Sequence, residues 1–75
     1  MERMVFDYAK LKGRIIEKCG AQKVFAQRLA VSEQTLTAKL KCESYFTQNE
    51  ILKAADILEI RPDLISMYFF TKTVQ

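Results

Sequence analysis

Apolar residues recur at spacings of three and four along most of this chain, and the rhythm breaks at a few short places. Tyr8, Leu11, Ile15 and Cys19 form one stripe, widened by Ile16. The spacing predicts a helix that starts at Asp7 and ends at Gly20. Asp7 suits the N-cap, and Phe6 and Leu11 suit a hydrophobic staple across it. Gly20 suits a left-handed end. Gly13, inside the helix, costs about 0.5–1 kcal/mol against alanine, which predicts close packing of another element there. Two further rhythms follow: Val24, Phe25, Ala26 and Leu29, then Leu36 and Leu40. They predict helices over about 21–29 and 33–41. The fourth helix has the clearest start, with Thr47 and Glu50 as a capping box and Phe46 with Ile51 as its staple. Ile51, Ala54, Ala55 and Leu58 give its core stripe. Pro62 suits the first turn of a short fifth helix, whose apolar surface is Ile65 and Tyr68 to Phe70. The expected fold is all-α, a compact five-helix bundle, in one domain over residues 1–75.

The segment Gln22 to Leu40, QKVFAQRLAVSEQTLTAKL, carries the most information. Its rhythm pauses at Ala30-Val31-Ser32 and restarts, with Ser32 placed to cap the new helix. Two short helices with a tight joint make a helix-turn-helix, over about residues 21–41. The segment resembles the helix-turn-helix of Cro and the lambdoid phage repressors through Gln22, Phe25-Ala26, Ala30 and Val31-Ser32. With FDYAKLKGRI, FTQNEILKAADIL and the closing YFF, residues 5–75 resemble small temperate-phage proteins described as Cro-like regulators. The resemblance implies a lambda-repressor-like bundle and a transcriptional repressor that binds double-stranded operator DNA. Two positions depart from the pattern. The turn residue that is usually glycine is Ala30, and the glycine that often follows the recognition helix is replaced near Cys42.

Carried over residue by residue, the resemblance makes Gln22 a phosphate anchor, although a solvated polar residue at a helix end reads the same way. Ser32 is a cap that can also touch phosphate. Glu33, Gln34, Thr35 and Thr37 belong to the outward face of the third helix, opposite Leu36 and Leu40. Gln34 suits adenine, Glu33 can accept only from a cytosine amino group, and Ala38 suits a thymine methyl. The alternative for this face is ordinary solvent exposure. Lys23, Lys39 and Lys41 are candidates for phosphate contact or for simple solvation. Ser44 and Tyr45 lie where such proteins touch the backbone, and Tyr45 can equally pack.

Charge modifies this picture a little. Residues 1–30 carry seven basic against three acidic side chains, residues 31–46 two of each, and residues 47–75 three against four. A basic N-terminal half suits a polyanion, and an ordinary solvated surface suits it as well. The chain has no histidine and two cysteines, Cys19 and Cys42, with no metal-ligand spacing and no call for a cofactor. Nothing in the residues asks for enzyme chemistry. Cys42 reads as a small half-buried thiol. No signal-peptide core or membrane-length apolar run is present, so a cytoplasmic protein is expected. Met67, Tyr68, Phe69 and Phe70 read as core folding back on the first helix, or as a homodimer interface. The tail from Thr71 reads as polar and loosely ordered.

Two functions therefore compete. The first is a Cro-like repressor on operator DNA. The second is a modulator that grips another phage repressor protein, with Glu33, Gln34 and Tyr45 as its contact patch. The neutral charge of residues 31–46 gives the second reading its weight.

Overall fold

The computed structural model describes residues 5–73. Those residues form five α-helices: α1 (Ala9–Cys19), α2 (Gln22–Leu29), α3 (Glu33–Leu40), α4 (Gln48–Ile57) and α5 (Ile65–Phe69), the last entered through a 3-10 turn at Pro62–Leu64. The all-helical expectation holds, and no strand is present among the described residues. Leu11, Ile15, Phe25, Leu36, Leu58 and Phe69 are all fully buried and meet in one core. Helix α5 packs on α1 and α4, so the C-terminal aromatic segment does fold back on the first helix.

The N-cap of helix α1 falls one residue later than its sequence predicts. Tyr8 occupies the N-cap position, because its ring is needed in the core, where it is 5% exposed. Asp7 still contributes, accepting from the Ala9 N–H at 2.9 Å. Ile16 does not widen the stripe, since it is 52% exposed. Nothing lies within 4 Å of a Cβ built on Gly13, so that glycine does not mark a close approach. At the far end, the chain past α5 is pinned rather than loose. Asp7 N–H donates to Thr71 O at 2.7 Å and Thr73 N–H to Val5 O at 3.2 Å, around an antiparallel bridge between Phe6 and Lys72. The expectation for Val74 and Gln75 lies outside the described residues.

Three helices end in one way, without glycine. Ala30 (φ 65°), Cys42 (φ 63°) and Glu59 (φ 54°) are all left-handed. After each, the next N–H reaches back five residues: Val31 to Ala26 at 3.0 Å, Glu43 to Ala38 at 2.9 Å, and Ile60 to Ala55 at 2.8 Å. This closure satisfies carbonyls that a helix end leaves free. Cys42 thus supplies the left-handed residue that the sequence seemed to lack after α3. It is also fully buried rather than half-buried. Its sulfur accepts from Phe6 N–H at 3.2 Å and donates to Phe6 O at 3.6 Å, tying the N-terminal segment to the end of α3.

Candidate functional site

Helices α2 and α3 meet across Ala30-Val31-Ser32, where the apolar rhythm pauses. Ala30 and Val31 close α2. Ser32 then caps α3, its hydroxyl accepting from Thr35 N–H at 3.0 Å and meeting Thr35 Oγ1 at 2.8 Å. Leu36 and Leu40 turn inward, at 1% and 7% exposure. The opposite face is therefore presented to solvent. Gln22, Lys23, Ser32, Glu33, Gln34, Thr35, Thr37, Lys41 and Tyr45 are exposed, and Ala38 and Ser44 are half-buried.

Lys39 departs from this group. It is buried at 7% exposure, and its ammonium is fully engaged. Nζ donates to Tyr45 O at 2.9 Å, pairs with Glu50 Oε1 at 2.9 Å, and lies 5.8 Å from the centroid of the Phe46 ring. The same Glu50 oxygen accepts from Thr47 N–H at 2.8 Å, closing the capping box of α4. Burial pushes the Glu50 carboxyl up. The Thr47 N–H and the Lys39 ammonium outweigh it, leaving the pKa below the usual carboxylate value. Lys39 therefore fastens the loop between α3 and α4 and is not placed to reach a phosphate. The capping box was legible from Thr47 and Glu50, but its third member sits eleven positions upstream and carries no local signal.

The charge of the exposed face changes accordingly. Helix α3 offers one exposed carboxylate, Glu33, and no exposed cation within Glu33–Leu40. In the flanking segments Lys23, Arg28, Lys41 and Glu43 are exposed. Affinity for DNA comes mainly from cations on phosphates, so this helix is poorly equipped for a groove. What it presents is polar and nearly neutral. Among the described residues no group of three His, Cys, Asp or Glu is gathered to hold a metal. No helix of the described residues is long and apolar enough to cross a membrane.

Comparison with known proteins bears on this face. Residues 4–72 match the model of a family described as "Protein of unknown function (DUF739)". Among solved structures, the chain is similar to the modulator of repression (MOR) of the temperate bacteriophage TP901-1 from Lactococcus lactis. The two share 42% identity and a TM-score of 0.79, over 99% of this chain and 100% of that one. No curated protein matches. These findings correct the Cro-like assignment. The likeness over the whole chain runs to a modulator of repression, not to an operator-binding repressor. The sequence cannot separate the two from this segment, because Ala30 closes α2 and Ser32 caps α3 whatever the pair binds.

Proposed function

As this chain belongs to the DUF739 family, whose function is not known, we propose from its likeness to the phage modulator that it modulates repression by binding a repressor protein rather than DNA. The observation that carries this reading is the 42% identity to that modulator over essentially both full lengths. The second support is local: α3 has lost its one internal cation to the Glu50 pair. With Glu33 at its tip and Lys39 buried in an ion pair, the helix itself offers no free cation to phosphates. The same polar face costs little to leave solvated. In this reading the protein belongs to a temperate-phage switch, and its output is the occupancy of an operator by a second protein.

The test is a titration against the repressor of the same phage switch and, separately, against the switch-region duplex. Binding of repressor, with release of repressor from the duplex as this protein is added, is the expected result. A salt-dependent shift of the duplex by this protein alone, with no affinity for the repressor, would overturn the reading.

A further inference from the structure

Two residues of α1 do not find the neighbours their sequence calls for, and both lie on its outer side. Ile16 is 52% exposed. Gly13 has nothing within 4 Å of the place its Cβ would take, although a glycine inside a helix is destabilising relative to alanine. No element of the same chain uses the open space over Gly13. Lys10, Gly13 and Glu17 are all exposed. They follow one another at spacings of three and four, so they form one stripe along the helix. Ile16 stands beside that stripe, about one turn past Gly13. The charges on the stripe are ordered, with a lysine on one side of Gly13 and a carboxylate on the other. Arg14 takes one oxygen of Glu17 at 3.2 Å. Among the described residues no ion pair holds Lys10.

We propose that this side of α1 is an interaction surface for a second copy of the same chain, packed antiparallel and centred beside Gly13. The argument is self-complementarity. A twofold interface between identical chains uses one patch twice, so each residue must suit the residue it meets on the other copy. In an antiparallel pair with its midpoint between Gly13 and Arg14, Lys10 of each copy comes level with Glu17 of the other. Both ion pairs form at once. The bare backbone at Gly13 lets the two helices approach closely, and each copy's Ile16 loses water against the other helix. A parallel arrangement sets Lys10 against Lys10 and Glu17 against Glu17. Duplex DNA does not suit the stripe, because Glu17 repels phosphates. Helix α1 has 11 residues and is about 16 Å long, so the contact is small and belongs to the weak, transient class. The protein is then single when dilute and paired where it accumulates.

Sedimentation equilibrium from about 10 µM to about 1 mM tests this surface. Wild type should pass from monomer to dimer within that range. Ile16→Gln, Lys10→Glu and Glu17→Lys should each weaken the dimer about tenfold, and the effect of the two charge reversals should shrink at high salt. All three residues are exposed, so melting temperatures of dilute protein should stay near wild type. The deciding arm is a mixture. Fluorescent Glu17→Lys should be drawn into dimers by added Lys10→Glu, because that combination restores both ion pairs. It should not be drawn in by Lys53→Glu, which reverses the same charge at an exposed position of α4. Wild type that stays monomeric across the range would overturn the proposal. So would a dimer indifferent to Ile16→Gln and both charge reversals, or a mixture in which Lys10→Glu captures no more Glu17→Lys than Lys53→Glu does.

Discussion

The ammonium of Lys39 lies 2.9 Å from a carboxylate oxygen of Glu50, joining the last turn of α3 to the first turn of α4. One side chain does two jobs, because Lys39 also holds the Tyr45 carbonyl of the intervening loop. The pair is shielded, with the lysine side chain 9% and the glutamate side chain 22% exposed. Hydrogen bonds to charged groups in such surroundings contribute about 1.5–3 kcal/mol. Lys39→Met should therefore lower stability by about that amount in urea unfolding. A variant as stable as wild type would show that the pair is merely tolerated.

The same pair sets an acid response. The Glu50 pKa is lower in the folded protein than its ordinary value. Its contribution is then present above the ordinary carboxylate pKa and is lost as pH falls through the folded value. Melting temperature measured from neutral pH down into the acid range should fall for wild type. For Glu50→Gln it should start lower and fall less, because the titrating group is gone. Parallel curves for the two proteins would sink this assignment.

Ala30 holds a left-handed conformation, φ 65°, that carries a penalty of about 1 kcal/mol for an L-residue. Glycine adopts it freely. Ala30→Gly should raise stability by roughly 0.5–1 kcal/mol, read by denaturant midpoint. Cys42 has the same backbone conformation, but Cys42→Gly should destabilise. Its buried sulfur bonds both backbone groups of Phe6, and glycine removes them.

Gly13 sits mid-helix in α1 with open space around the position of a Cβ. Gly13→Ala should stabilise by about 0.5–1 kcal/mol, the ordinary helix preference of alanine. A loss of stability would mean that something approaches Gly13 closely after all.

Burial drives the Tyr8 phenol up to about 12, with Cys42 and then Tyr45 adding to the effect. The neutral phenol is what the core accommodates, so its contribution to stability is complete below the ordinary tyrosine pKa and is lost as pH rises through the folded value. Alkaline titration of the tyrosine absorbance should show one phenol ionising only near 12. In Tyr8→Phe that step should be missing.

Periodicity together with capping and turn residues determined the five helices, the inward faces of α3 and α4, and the caps at Ser32 and Thr47. Those features depend on contacts within four residues, which a sequence displays directly. The turn at Ala30 was marked by the resemblance, as a position usually held by glycine, and its positive φ came from the structure. Tertiary structure decided the rest. It removed Lys39 from the exposed face by pairing it with Glu50. It recruited Arg14 from α1 to the Leu58 and Glu59 carbonyls at the end of α4, at 2.9 and 3.0 Å. It tied residues 71 and 73 to 7 and 5, and it brought Leu52, Ile65 and Phe70 around one hollow. Each of these joins residues at least seven positions apart, where spacing carries no information. Choice of partner falls in the same class. A helix-turn-helix fixes where a helix lies. What the helix binds is set by which of its charges remain free, and only the pairing of Lys39 with Glu50 settles that for Lys39.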